Sequence, residues 1–390
     1  MKQENFNTKE PLKEKYLPDQ YATLRKPRIL VAPLDWGLGH ATRCIPVIYE
    51  LLQQECEVWI AAEGAQEALL KQEFPGLSFL SLPGYRVKYG HSAGSTVWNI
   101  LFQTPKIVRA IKRENEWLEK TVREHHFDAV ISDNRYGLHH PTIPSIIITH
   151  QLLIKTNLGK WPENFLQKRN YKYINLFSEC WVPDEEGDRN LAGDLSHPRT
   201  NPAIPIKYIG PLSRFKKTGE LNNMSSETGD LLIILSGPEP QRSILEEKII
   251  KDIVHYDGKA TVVRGLPGNL NLIPSTNSIK FYNHLPAEAL NKEMNNAGYI
   301  ISRSGYSTIM DIQRLSKKAI LIPTPGQTEQ QYLARYLHEK KMALSIPQNS
   351  FSLSDALQQA RSFRYTIENS KEESHLGPVI SLFIRSLRKD

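Results

Sequence analysis

A glycine-rich turn that leads into a histidine is the first feature of this chain with chemical character. It lies in VAPLDWGLGHATR, residues 31–43, where an apolar run stops before Gly37, Gly39 and His40. Glycine lets a ligand approach the main chain, and a helix N-terminus favours negative charge. A histidine there has a pKa suited to proton transfer, which makes His40 a candidate general base. Asp35 is a rival base, with a turn-forming aspartate as its structural alternative.

The same stretch also has a purely structural explanation. The dinucleotide fingerprint G-x-G-x-x-G requires a third glycine, and Thr42 stands at that position. Glycine turns are common in parallel α/β units that bind nothing. A tight strand-to-helix turn without a ligand is therefore the alternative to a binding site.

A second region of ligand-binding character is ISRSGYSTIMDIQRLSKKAILIPTPGQTEQQYLA, residues 301–334. A strand ends in an Arg-Ser-Gly turn whose exposed amides suit a phosphate, and an acid follows about two helical turns later. The next strand ends in proline before a Glu-Gln-Gln cluster, whose donors and acceptors suit a hydroxyl-rich ligand. The alternatives are a plain helix start and a solvated first turn. The candidate residues are Arg303, Ser304, Gly305, Ser307, Asp311, Glu329, Gln330 and Gln331.

A third strand-to-helix turn is LSGPEPQR, residues 235–242. Ser236, Gly237 and Arg242 are candidate phosphate contacts in it. Two prolines remove backbone donors from this turn, which weakens an anion-binding interpretation and leaves an unliganded turn as the alternative.

Composition limits the class of protein. The chain has 390 residues, a 40% hydrophobic content and a net charge of +7, which predicts a soluble globular protein of about two domains. No apolar run approaches the ~18–20 residues of a membrane span. Three widely spaced cysteines argue against a disulfide scaffold or a zinc site and suit a reducing cytosol. The basic residues are spread along the chain without a recognised module, so nucleic acid is not an expected partner.

Alternating apolar runs and helical patterns predict an α/β protein with two doubly wound parallel-sheet (Rossmann-like) domains that face a cleft. Residues 1–27 are predicted to be a polar mobile tail, 28–212 and 230–390 the two domains, and 213–229 a linker or loop. The last helix is a candidate to pack back on the N-terminal domain. Helices are expected from Ala41 and from about Val97 to His125. The predicted strands are RILVAPL, EVWIAAEG, GLSFLSL, DAVISD, IPSIIITH, ECWVP, IKYIG, LLIILSG, KATVVRG, SIKFYN, GYIIS, KAILIP and MALSIP.

From about Arg28 to its C-terminus the chain resembles the GT-B glycosyltransferases, particularly family 28, whose best-known member acts on a lipid-linked peptidoglycan precursor. The match is most specific in the R-S-G turn, the acid at Asp311, Ile322-Pro323 and the Gln330-Gln331 pair. The resemblance implies that a UDP-sugar binds the C-terminal half. Asp311 would hold the ribose, Ser304 and Gly305 the diphosphate, Gln330 and Gln331 the sugar, and the backbone near Phe281 and Tyr282 the uracil.

On the acceptor side, the resemblance places His40 at the family's catalytic histidine and Gly37 and Gly39 in its glycine loop. SDNRYG and THQ match acceptor-side segments, with Asp133, Asn134, His150 and Gln151 as candidates. There are departures: the family acid is usually glutamate, the SGPEP turn has fewer glycines, and DNRYG lacks a glycine pair. These departures leave the acceptor open and argue against the peptidoglycan reaction itself.

The predicted reaction is inverting transfer of a sugar, an N-acetylhexosamine among the candidates, from a UDP-sugar to an acceptor hydroxyl on a lipid-linked or cell-envelope glycan. No Asp-x-Asp motif is present, so neither a metal nor a cofactor is expected. The alternatives are a UDP-sugar epimerase or hydrolase of the same fold and a non-catalytic nucleotide-sugar-binding protein. The oligomeric state is left open.

One segment bears on location. KWPENFLQKRNYKYINLF, residues 160–177, mixes aromatic residues with lysine and arginine. Such a helix could rest on an anionic membrane surface, which predicts a cytoplasmic protein with peripheral contact at the inner face of the membrane. The alternative is a domain-surface helix with a buried aromatic face.

Overall fold

The computed structural model describes residues 25–85, 95–156, 158–217, 230–367 and 375–388, with the backbone alone for helical residues 95–104. Most of the predicted tail and residues 218–229 of the predicted linker lie outside this description.

The N-terminal domain has a seven-stranded, entirely parallel sheet in the order β3-β2-β1-β4-β5-β6-β7. Helices connect most of the successive strands, as in other doubly wound sheets. The strands are β1 Arg28–Pro33, β2 Glu57–Ala62, β3 Ser78–Ser81, β4 Ala129–Asp133, β5 Ser145–Ile148, β6 Glu179–Val182 and β7 Ile206–Tyr208. The helices are α1 Leu38–Gln53, α2 Gly64–Glu73, α3 Ser95–His125 and α4 Lys160–Ile174.

The C-terminal domain repeats this architecture with six parallel strands in the order β10-β9-β8-β11-β12-β13. The strands are β8 Asp230–Ile234, β9 Ala260–Val263, β10 Ile279–Tyr282, β11 Ala297–Ser302, β12 Lys318–Leu321 and β13 Leu344–Ser345. The helices are α5 Gln241–Ile253, α6 Ala287–Asn296, α7 Tyr306–Arg314, α8 Thr328–Glu339, α9 Leu353–Ser362 and α10 Leu376–Leu387.

The two sheets confirm the predicted fold class. The central strands are buried along most of their length because helices cover both faces, which explains their near-continuous apolar sequences. One boundary was wrong in a way that matters for the site. Helix α1 begins at Leu38 and not at Ala41, so Gly39 and His40 lie in its first turn.

Helix α10 leaves the C-terminal domain and packs on α1 of the N-terminal domain. The ring of Phe383 meets the ring of Trp181 edge-on, with centroids 5.5 Å apart. Gln54 also donates a hydrogen bond to the carbonyl of Gly377, at 3.2 Å. Apolar residues of both domains join in one continuous core, so α10 adds to the contact between the domains.

This packing predicts that Phe383→Ala lowers the free energy of unfolding by about 3–5 kcal/mol, because it empties a buried aromatic site. Leu382→Ala is the matched control, since the neighbouring Leu382 is exposed. Urea denaturation of both variants measures the difference. Equal, small losses in the two would contradict the structural role of this helix.

Candidate active site between the two domains

The first turn of α1 brings His40 to a buried carboxylate. Strands β1 and β4 are neighbours, and their register pairs Pro33 with Asp133, so Asp133 ends its strand beside the start of α1. Gly37 caps the helix with φ 79°, a left-handed conformation that favours glycine. His40 Nδ1 lies 3.0 Å from Asp133 Oδ2. The Asp133 side chain is fully buried, while that of His40 stays 15% exposed.

An arginine that sequence reasoning did not select completes this cluster. Arg43 donates from Nε to both oxygens of Asp133, at 2.9 and 2.8 Å, and from Nη2 to Oδ1. Its Nη2 also lies 2.8 Å from His40 Nδ1. Arg43 follows His40 by three positions, a spacing that places two side chains on one helix face. That spacing was the signal available in the sequence.

The cluster fixes the charge of its members. Burial, followed by the positive charge of Arg43, lowers the pKa of His40, although Asp133 acts in the opposite direction. Burial alone would raise the pKa of Asp133, but Arg43 and His40 outweigh it and hold that pKa below its usual range. The cluster therefore favours a neutral imidazole on His40 beside an ionised carboxylate on Asp133.

A carboxylate from the other domain meets the acceptor-side segment predicted at THQ. Glu329, at the start of α8, has Oε1 2.9 Å from His150 Nε2, and Gln151 donates to Oε2 at 2.5 Å. The ring of Tyr306 stacks on His150 with centroids 4.1 Å apart. The structure thus brings together residues that the sequence had assigned to opposite sides of the cleft.

Gly39 is a second point of close approach between the two domains at the site. Ser307 of α7 donates to the carbonyl of Gly39 at 3.2 Å. A Cβ at position 39 would lie 2.7 Å from Ser307 Oγ, so glycine permits this approach. By contrast, a Cβ on Gly305 would meet no atom within 4 Å, which leaves open space in front of the turn that begins α7.

Asp311 lies on α7 and bonds to the segment that joins the domains. Ser213 donates to Asp311 Oδ1 at 2.6 Å. Burial raises the pKa of Asp311 to about 7, against the lowering effects of the Ser213 hydroxyl and the Arg214 charge. Sequence reasoning missed Ser213 and Arg214 because they lie in a segment assigned to the linker.

The turn after β12 is tied to the turn after β11. Ser304 donates to the carbonyl of Gln330 at 2.8 Å. The Gln330 side chain accepts from the Thr324 amide at 3.0 Å and donates to Gln327 at 2.6 Å. Gln331 follows on α8 and is half-buried. Gln330 therefore shapes the loop in this state of the protein, and its contact with a sugar stays a prediction.

Arg303 is buried below the surface of the cleft. It donates to the main-chain carbonyls of Ile322 and Gln241, at 3.2 and 2.6 Å, and its Nε has no partner among the described residues. Burial lowers the pKa of its guanidinium to about 10. In this position Arg303 joins the ends of two strands and α5.

In the turn predicted at LSGPEPQR, the small residues face solvent and the arginine is paired within the protein. Ser236 and Gly237 are exposed, and Gly237 has φ 102°. Arg242 instead donates to Glu239 at 2.6 Å and to Glu246 at 3.1 Å. A phosphate contact by Arg242 stays a prediction. It requires the phosphate to replace Glu239 or Glu246 as the hydrogen-bond partner of Arg242.

The predicted uracil segment lies on the edge strand β10. The amide of Phe281 donates to Ser275 Oγ at 2.9 Å, and the carbonyl of Tyr282 accepts from the Arg264 amide at 2.8 Å. Both side chains are half-buried. These two main-chain groups are already bonded, so base recognition here stays a prediction.

Two further acceptor-side candidates have distinct settings. Asp35 accepts from the Tyr85 amide at 3.0 Å, which gives it the turn-stabilising contact expected of the structural alternative. Asn134 follows Asp133 with φ 57°, and its Oδ1 is buried without a partner in the described part of the chain. Asn134 is therefore the better candidate of the two for a ligand contact.

Two features are absent from the described ranges. Across them, no group of three or more His, Cys, Asp or Glu side chains is arranged to hold a metal ion. No helix in the same ranges is long and apolar enough to span a membrane.

Comparison with known proteins agrees with this architecture. Residues 274–380 match the glycosyltransferase family 28 C-terminal domain. A UDP-N-acetylglucosamine–N-acetylmuramyl-(pentapeptide) pyrophosphoryl-undecaprenol N-acetylglucosamine transferase from a Methylobacterium strain is 23% identical, over 84% of this chain and 86% of its own length. An uncharacterized glycosyltransferase from Methanosarcina acetivorans is 22% identical, over 80% and 84%.

The glycosyltransferase SnogD from Streptomyces nogalater is similar in fold, with a TM-score of 0.58 at 15% identity, over 94% of this chain and 96% of SnogD. The two facing parallel-sheet domains thus define a GT-B protein. The chain therefore has the GT-B fold, and its C-terminal domain is similar to the C-terminal domain of glycosyltransferase family 28.

The setting of Asp311 predicts a pH-dependent stability. Its folded-state pKa of about 7 exceeds the ~3.9 of an unfolded aspartate, so wild-type stability falls as pH rises between these values. Asp311→Asn removes this titrating group. The melting temperature of the variant minus that of wild type should therefore increase from pH 5 to pH 8. Asp355→Asn, at an exposed site, is the control. A constant difference between Asp311→Asn and wild type across this range would contradict the prediction.

Proposed function

We propose that the protein transfers a sugar from a UDP-sugar to an acceptor hydroxyl with inversion at the anomeric carbon. The observation that carries the proposal is the pair of His40 and Asp133 at the first turn of α1, at the cleft between the two domains. With Nδ1 donating to Asp133, Nε2 is free to take the proton from the acceptor hydroxyl. The hydroxyl oxygen then bonds to the anomeric carbon as the bond to the diphosphate breaks.

The leaving diphosphate needs compensation for its negative charge. The turn at Ser304 and Gly305 supports this role because Gly305 caps α7 and a Cβ on it would meet only open space. A helix N-terminus carries partial positive charge and can stabilise such a leaving group without a metal. Arg303 precedes Ser304 and bonds to the carbonyl of Gln241 at the start of α5, and it is expected to add positive charge to this region. Arg242 would do so after an exchange of its glutamate partners. Activity in the presence of a chelator is the expected behaviour.

The donor has to replace partners that two acids now hold. A ribose hydroxyl would take the place of the Ser213 hydroxyl on Asp311, and a sugar hydroxyl would compete with Gln151 for Glu329. In each exchange a ligand hydroxyl replaces a protein hydroxyl or amide as the hydrogen-bond donor to the carboxylate. Few hydrogen bonds are therefore lost. UDP is favoured because the matched Methylobacterium relative is named for UDP-N-acetylglucosamine, which also favours an N-acetylhexosamine.

The acceptor is proposed to be a lipid-linked or cell-envelope glycan. The name of the same relative includes pyrophosphoryl-undecaprenol, a lipid-linked acceptor. Asn134, with its unpartnered buried carbonyl oxygen beside Asp133, is the side chain that we expect to contact the acceptor. The departures from the family pattern in this segment leave a different glycan as the expectation.

Helix α4 supports contact with an anionic membrane at the cytoplasmic face. Trp161 is 80% and Phe165 52% exposed, and their rings stack with centroids 6.4 Å apart. The exposed Lys168 and Lys172 follow on the same face. The alternative that buried these aromatic residues is therefore wrong for Trp161 and Phe165. Exposed aromatic rings next to lysines suit a lipid headgroup boundary.

An epimerase, a hydrolase or a non-catalytic binding protein would use the same donor site. Incubation with UDP-sugar alone separates these functions. Release of free sugar or of an epimer without an acceptor would favour the first two, and donor binding without turnover under any acceptor would favour the third. A thermal-shift screen over UDP-, GDP- and dTDP-sugars identifies the donor first.

Removal of the base should separate catalysis from donor binding. His40→Ala is expected to lower kcat by roughly 10²–10⁴-fold, the usual contribution of a general base, with donor affinity unchanged. Asp311→Ala is the complementary variant and should weaken donor binding. Calorimetric titration with UDP and a transfer assay measure the two effects. Near-wild-type transfer by His40→Ala would overturn the assignment.

The membrane contact is tested with vesicles that contain anionic phospholipid. Wild type should cosediment at low salt, and Trp161→Ala/Phe165→Ala should lose most of this binding because it removes the exposed rings. Leu270→Ala/Leu272→Ala is a matched control, since both leucines are exposed on the other domain. Absence of wild-type cosedimentation at low salt would exclude the contact.

A further inference from the structure

His40 Nδ1 has two neighbours that make opposite demands on it. Asp133 Oδ2, at 3.0 Å, can only accept a hydrogen bond, while Arg43 Nη2, at 2.8 Å, can only donate one. A bond to Asp133 requires a proton on Nδ1 and leaves Nε2 as a base. A bond from Arg43 requires a bare Nδ1. In the neutral ring that form carries its proton on Nε2, and Nε2 is then not a base.

Arg43 has already taken most of the hydrogen-bonding capacity of Asp133. Its Nε and Nη2 bind the carboxylate in a fork, and both side chains are buried. Such a fork matches the planar carboxylate and fixes its orientation. The negative charge of Asp133 is therefore compensated before His40 gains a proton.

The full set of charged groups around His40 includes residues from three further elements. Asp133 ends β4, His150 follows β5, and Glu329 lies in the first turn of α8. Glu329 is bound by His150 and Gln151, which leaves Arg43 as the positive neighbour in direct contact with the His40 ring. Without Arg43, the ring would face the Asp133 carboxylate as its contacting charge.

We propose that Arg43 is a positioning residue that keeps His40 neutral by compensating the charge of Asp133 and by opposing a second positive charge on the ring. Nδ1 then donates to Asp133, and Nε2 is available as a base. This inference rests on the proposed role of His40 as the general base. It assigns to Arg43 a function in the reaction beyond packing. Without Arg43, a His40–Asp133 ion pair would hold the proton on the imidazole, and the base would be lost at mildly acidic pH.

A second buried arginine provides the matched control for a purely structural role. Arg135 donates to Glu114 at 2.7 Å in the same domain, and both side chains are buried. Its further bonds go to the carbonyls of Pro33 and Pro83, at 3.2 and 2.6 Å. Arg135→Gln therefore breaks a comparable buried pair without removing a contact of His40.

The test follows the His40 ring by ¹⁵N NMR from pH 5 to pH 8 in the full chain without substrate, with the signal assigned from His40→Gln. In Arg43→Gln the titration should move to higher pH than in wild type. Arg43→Lys, which retains the charge, should restore at least part of the difference, and Arg135→Gln should titrate like wild type. An unchanged titration in Arg43→Gln would overturn the proposal.

If Arg43→Gln does not fold, the wild-type protein decides. A charged His40 ring at pH 6, where ordinary histidines are mostly charged, overturns the proposal; a neutral ring is the result that the proposal requires, with burial acting in the same direction as Arg43. The titration needs no enzymatic activity, so it stands apart from the proposed function. In an active preparation, Arg43→Gln should also lower the ratio of kcat/KM at pH 6 to that at pH 8 by roughly threefold to tenfold relative to wild type.

Discussion

A single buried carboxylate organises the N-terminal side of the cleft. Asp133 lies at the carboxyl end of β4, without solvent exposure, and would be costly to ionise if it were unpaired. Arg43 and His40 supply the compensating hydrogen bonds, and both belong to the first turns of α1. The start of α1, the glycine turn before it and the orientation of the imidazole all depend on this arrangement.

The second constraint is direct contact between the domains. Tyr306 stacks on His150, Ser307 binds the main chain of Gly39, and Glu329 binds His150 and Gln151. The donor-side helices α7 and α8 therefore rest on the strand ends of the acceptor-side domain. Polar groups proposed to bind a sugar nucleotide already have protein partners, which a ligand would exchange.

Local patterns predicted much of this structure. Short apolar runs predicted the parallel strands, and glycine turns predicted where helices begin, because backbone geometry imposes both. The start of α1 was misplaced by three residues, since Gly39 and His40 have low helix preference and gave no apolar signal. The sequence left two alternatives for Trp161 and Phe165, exposure at a membrane surface or burial, because composition does not show which face of α4 is covered.

The sequence by itself determined the fold class, the carboxyl-end location of the site and the candidate status of His40, since each follows from local spacing and from the rule that parallel strands end at one edge. Only the tertiary structure decided the partners. Arg43 acquired its role because β4 delivers Asp133 to α1 from about ninety residues away. Ser213 met Asp311 in the same way, from 98 residues away. Burial then set the pKa values, and burial is a property of the assembled domains.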